Sequence, residues 1–168
     1  MRILGIDPGI AITGFGVVQT DGQRSRALDY GCITTPSTLP VSQRLLLIFQ
    51  EMQAIFERHQ PDAVAIEKLF FAKNANSAMQ VGEARGVLVL AASLAGLEVF
   101  EYTPLQVKQA VVGYGKAEKK QVQQMVKIIL TLSKIPRPDD AADGLAIALC
   151  HAHSGGSRAA INWRSKNV

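Results

Sequence analysis

Ile3-Leu4-Gly5-Ile6-Asp7-Pro8-Gly9, followed by residues 10–18, runs a wholly apolar stretch into a lone carboxylate and then a turn. Residues 2–6 are too uniformly apolar for a half-exposed strand and too short for a helix, so they read as a central sheet strand ending at Asp7. Pro8-Gly9 forces a turn. Thr13-Gly14-Phe15-Gly16-Val17-Val18 then returns antiparallel, its glycines allowing another backbone or a ligand to approach closely. A charge at the end of a buried strand is costly unless something pairs with it. Asp7 is therefore expected at the middle of a rigid sheet, beside an opening.

Working outward, residues 26–34 read as a third antiparallel strand after the polar Asp21-Gly22-Gln23 turn. Across 41–58, Leu45, Ile48, Phe49, Met52, Ile55 and Phe56 recur at helical spacing, which predicts an amphipathic helix over the sheet. Ala63-Val64-Ala65-Ile66 is a second wholly apolar strand ending in a carboxylate, Glu67. If the intervening helix is a right-handed crossover, the two strands are parallel and both acids leave the same sheet edge. A helix over 77–95, a strand over 97–102 and a helix capped by Thr103 with Pro104 in its first turn follow. Gly113-Tyr114-Gly115 is a turn without the strand-to-helix context of a phosphate loop, and another helix is expected to open at 116 and run to 130. The pattern predicts an α/β fold with a five-stranded mixed sheet, three strands antiparallel and two parallel, flanked by helices.

The last element follows Pro136-Arg137-Pro138 and carries Asp139, Asp140 and Asp143 in an otherwise apolar, small-residue helix. Asp140 and Asp143, three apart, share a helix face. Asp139 is explained as a complement to the helix dipole, whereas Asp143, within a helix built to press on a sheet, needs a cation. Asp7, Glu67, Asp140 and Asp143 are each out of place by the burial rule. Clustered acids either take up protons or bind divalent cations. Hard oxygen donors without Cys or suitably spaced His favour Mg2+ or Mn2+ over Zn2+. Two such ions roughly 3.5 to 4 Å apart would clamp the attacking and leaving oxygens of a phosphodiester. Scattered surface acids with ordinary partners are the competing reading.

At 168 residues and 48% hydrophobic content, the chain can bury one good core. A single domain over 1–153 and a basic, flexible tail over 154–168, containing Trp163, are expected. The net charge of +4 is compatible with an anionic partner without requiring one. Cys32 and Cys150 read as buried free thiols, which fits a reducing cytoplasm. No basic leader precedes the first strand and no apolar run approaches a membrane span, so a soluble, unexported protein is expected. His151 and His153, two apart, would face different sides of a helix and are not read as a metal pair.

The ordered set Gly5-Ile6-Asp7-Pro8-Gly9, Ala65-Ile66-Glu67 with Phe70 and Ala72-Lys73-Asn74, Gln106-Val107-Lys108-Gln109, Ala117-Glu118-Lys119, and Asp140-Ala141-Ala142-Asp143 resembles the RuvC family of bacterial Holliday-junction endonucleases, which have a ribonuclease-H-like fold. The resemblance covers almost the whole chain up to the tail. It implies a homodimer that nicks two like-polarity strands of a four-way DNA junction symmetrically, in recombination and repair, alongside the RuvA–RuvB branch-migration complex. It implies that Asp7, Glu67, Asp140 and Asp143 are metal-binding catalytic acids using Mg2+, with two ions per site and Mn2+ as a substitute. It further implies that Phe70 stacks on a base near the junction centre, a contact worth about 1–3 kcal/mol. Lys108 and Lys119 would approach the DNA backbone, flanked by Lys116 and Lys120. Two rivals stay open: a nuclease of the same fold acting on RNA or RNA–DNA hybrid, and an ATPase-like or non-catalytic nucleic-acid-binding domain.

Overall fold

Alternation along β1 (Arg2–Asp7) sorts its side chains onto two faces. Ile3 joins one core cluster, whereas Leu4 and Ile6 join the other. Asp7 therefore falls on the Ile3 side. The same period in β4 (Ala63–Glu67) sends Val64 and Ile66 to one face and Ala65, with Glu67 beyond it, to the other. The strands are parallel, in a register that pairs Ile6 with Ile66. One residue further on, both acids emerge together.

These relations come from a computed structural model that describes residues 1–69 and 75–154. The sheet order is β3-β2-β1-β4-β5, with β2 (Ile12–Thr20) and β3 (Ser25–Thr34) antiparallel and β5 (Val99–Tyr102) parallel to β4. On one face lie α1 (Val41–His59) and α2 (Ala75–Leu94), which pack with Leu4, Ile6, Val64 and Ile66 through Ile48, Met52, Ala84 and Leu88. The other face is covered by α3 (Pro104–Val112), α4 (Lys119–Ile129) and α5 (Asp139–His153). Each Leu or Ile fully withdrawn from water in these layers contributes about 1.5–3 kcal/mol.

α5 lies directly on β1 and β2 because the sheet leaves it room. A Cβ at Gly5 would overlap the Gly144 carbonyl and the Ala148 backbone, and one at Gly14 would overlap the Asp140 carbonyl. Backbone-to-backbone contact fixes how far along the sheet α5 sits, and so where Asp140 and Asp143 stand.

The five strands and the order of the helices agree with the sequence reading, but several boundaries differ. α4 begins at Lys119 rather than at 116, because Glu118 is its N-cap and forms a reciprocal capping box with Gln121; residues 113–116 turn ahead of it. β5 is shorter than 97–102, since the Leu97 amide bonds back to the Ala92 carbonyl at the end of α2. Cys32 is half-exposed rather than buried, whereas Cys150 is buried. α3 begins as expected, with the Thr103 side chain accepting from the Gln106 amide. No helix among the described residues is long and apolar enough to cross a membrane. Phe70, Ala72, Lys73, Asn74 and all of the expected tail beyond Ser154, Trp163 included, lie outside the described residues.

Candidate active site

Asp7, Glu67 and Asp143 line one cavity of about 250 Å³ at the carboxyl ends of β1 and β4. Its remaining walls are Lys108 from α3, Lys119 from α4 and an apolar surround that includes Val107, Val122, Ala146 and Ile147. An apolar wall weakens solvation of every charge inside. Two strands and three helices, far apart in sequence, thus deliver three carboxylates and two ammonium groups to one opening.

The electrostatics follow from that enclosure. Burial, then the neighbouring charges of Glu67, Asp143 and Asp140, push the Asp7 carboxyl up to about 7, against the opposing pull of Lys119. Burial and Asp143 raise Glu67, while Lys119 and Lys108 pull it back. Burial also raises Asp143, opposed mainly by a hydrogen bond from Lys119. That bond is 2.8 Å from Lys119 Nζ to Asp143 Oδ2, and Asp139 lies 3.9 Å from the same ammonium. The cation demanded by a carboxylate within α5 is therefore Lys119, donated from 24 positions earlier.

Asp140 does not line the cavity, although its charge acts on Asp7 and on Cys32. Lys116 sits exposed in the turn before α4, away from the cavity lining. His151 is buried with Nδ1 2.7 Å from the Tyr102 hydroxyl and its ring 4.4 Å from that of Phe100. Burial depresses its pKa to about 4, which keeps the ring neutral. His153 Nδ1 instead faces the Ala110 carbonyl at 3.0 Å. Neither histidine lines the cavity.

Sequence reasoning overlooked two neighbours of the acids. Asp139 does more than complement a helix dipole: it accepts from Arg137 at 2.5 Å and adds its field to Lys119. Cys32, on β3 opposite Gly14, feels Asp140, Asp7 and Asp143, and burial together with those charges lifts its thiol to about 11. Asp139 carried a clue in its adjacency to Asp140; Cys32 carried none, because its proximity depends on strand register.

The donor set fits a hard divalent cation, because the clustered groups are carboxylate oxygens, and burial together with their mutual repulsion raises Asp7 to about 7. As the side chains stand, no three His, Cys, Asp or Glu among the described residues are gathered closely enough to ligate one ion. Asp143 is engaged by Lys119 instead.

Residues 3–151 match the family model described as crossover junction endodeoxyribonuclease RuvC. The chain belongs to the RuvC family. A crossover junction endodeoxyribonuclease RuvC from Alkaliphilus oremlandii is 58% identical over 155 residues, spanning 92% of this chain and 94% of that one. The structure of RuvC from Thermus thermophilus superposes with a TM-score of 0.87 at 40% identity, covering 94% of this chain and 97% of its own. A second structure, T. thermophilus RuvC in complex with Holliday junction substrate, superposes with a TM-score of 0.86 at 39% identity, covering 94% and 96% of the two chains. The ribonuclease-H-like architecture expected from the resemblance is the one observed, with RuvC as its structural neighbour.

Proposed function

We infer that this chain is a RuvC-type endonuclease that resolves four-way DNA junctions by nicking two strands of like polarity. The observation that carries the reading is the meeting of Asp7, Glu67 and Asp143 with Lys108 and Lys119 in one cavity, in a chain 58% identical to a crossover junction endodeoxyribonuclease. Asp7, Glu67, Asp140 and Asp143 are the proposed ligands of Mg2+, with Mn2+ as a substitute. Bound there, the metal supplies Lewis acidity and a water made nucleophilic near neutral pH for in-line phosphodiester displacement. The residues divide the remaining work. Asp7 and Glu67 hold fixed positions because they end two paired parallel strands. Lys108 and Lys119 bring positive charge to an opening otherwise hostile to phosphate. By the family resemblance, Phe70 is proposed to stack on a base near the junction centre; Lys116 and Lys120 are proposed to meet the backbone farther out.

A homodimer is part of the same proposal, since a twofold enzyme matches a substrate cut at two symmetric positions. It is supported by α2, which exposes Met79, Leu90 and Leu94, more apolar side chain than a helix facing water ordinarily carries. Work with the RuvA–RuvB complex in the cytoplasm completes the reading.

The test is a choice of substrates. In Mg2+, the protein is offered a mobile four-way DNA junction, the matched linear duplex and an RNA–DNA hybrid. Paired, symmetric, religatable nicks in the junction alone are the expected result. Preferential cutting of the hybrid would move the activity to the RNA-directed branch of the fold, and tight junction binding without cutting would leave a binding protein.

A further inference from the structure

Lys119 stands where a cation is electrostatically required and where its own helix does not favour one. It is the first residue of α4, directly after the Glu118 cap, and the positive end of a helix dipole repels an ammonium. What holds it is on the neighbouring helix: Asp143 Oδ2 at 2.8 Å and Asp139 Oδ2 at 3.9 Å. It is also the positive charge that acts on Asp7, Glu67 and Asp143 together, whereas Lys108 acts on Glu67.

The pair is built to exchange. The Lys119 side chain is 54% exposed on a flexible stem, so its ammonium can swing into water. Asp143 is 28% exposed and cannot escape its neighbours in the same way, because it is carried on a helix in backbone contact with the sheet. One partner is mobile and the other is fixed.

We propose that Lys119 is a tethered counter-ion that occupies the acid cluster until a divalent cation displaces it, so that metal loading frees its ammonium at the cavity mouth. This rests on the metal-binding reading above. Two consequences follow for the metal-free protein. Lys119 restrains acids that would otherwise repel one another, and it lowers the affinity of the site for metal because each ion entering must first detach it. A divalent cation near a unit positive charge pays a repulsion that disappears when that charge is removed.

The experiment measures Mn2+ binding by titration calorimetry, without DNA, on wild type, Lys119→Met, Lys119→Arg and Asp7→Asn, with melting curves to verify that each is folded. Lys119→Met should bind Mn2+ on the order of tenfold more tightly than wild type, and should melt at lower temperature than wild type when metal is absent. Lys119→Arg, which keeps the charge, should restore affinity to within a few-fold of wild type. Unchanged or weaker binding by a folded Lys119→Met would overturn the counter-ion role while leaving the metal site intact. Failure of wild type and Asp7→Asn alike to bind Mn2+ would instead strike at the metal site itself.

Discussion

The two ends of the sheet hold acids of similar, intermediate burial and treat them in opposite ways. At the amino end of β1, Asp62 Oδ2 accepts the Arg2 amide at 2.7 Å, Arg2 reaches the His59 carbonyl at 2.6 Å, and Asp29 meets His59 at 2.8 Å. Each carboxylate there has a dedicated partner of the kind that closes a loop or ties down a helix end. At the carboxyl end, Asp7, Glu67 and Asp143 crowd one cavity, and a single lysine, Lys119, opposes all three. Structural ionic groups pair off locally, whereas a reactive cluster retains repulsion that a ligand can relieve. That contrast separates scaffold from site better than burial does.

Changes at the carboxyl end should cost the most activity. Glu67→Gln or Asp143→Asn is expected to lower junction cleavage by at least about 10³-fold, equivalent to ~4 kcal/mol of transition-state stabilisation, with little change in the circular dichroism spectrum; cleavage within tenfold of wild type would remove that acid from the chemistry. Next comes the contact that positions α5. A Cβ at Gly5 has no space beside the Gly144 carbonyl, so Gly5→Ala should destabilise the protein by about 2–3 kcal/mol in urea unfolding and also reduce cleavage, because Asp140 and Asp143 shift with the helix. Full activity with lowered stability would uncouple the packing from the site.

A pH comparison sharpens the contrast further. Folded Asp7 keeps its proton up to about pH 7, whereas the unfolded carboxyl releases it near its ordinary value of 3.8. Between those values the native state binds more protons, so this group makes stability fall as pH rises. In chelator, Asp7→Asn should therefore melt above wild type at pH 8, by about 2–8 °C for a gain of 1–2 kcal/mol, and the gap should shrink as pH falls towards 4. A gap independent of pH would mean that Asp7 is not held in an unfavourable ionised state. The smallest effect is expected at the other end: Asp29→Asn should cost no more than about 1 kcal/mol and leave cleavage within roughly twofold of wild type.

Much of this was legible in the sequence where a period or a cap carried the information. The uninterrupted apolar runs ending in Asp7 and Glu67 announced central strands, and Thr103-Pro104 announced the start of α3. The start of α4 was misjudged because charged residues from 116 onward suit a helix by propensity, while the capping box of Glu118 with Gln121 decides where the helix begins. Cys32 looked buried because its neighbours in sequence are apolar, yet exposure is set by its position in the sheet. The need of Asp143 for a cation could be inferred from one helix; that Lys119 meets it depends on how two helices pack, which local pattern does not encode.

The most direct measurement is cleavage of a mobile four-way junction by wild type and Asp7→Asn, each in Mg2+ and in chelator, with junction binding followed in parallel. Paired nicks from wild type in Mg2+ alone, with junction binding retained by Asp7→Asn, are the expected result. Equal cleavage in chelator, or by Asp7→Asn, would contradict a metal-dependent site built on the acids at the carboxyl end of the sheet.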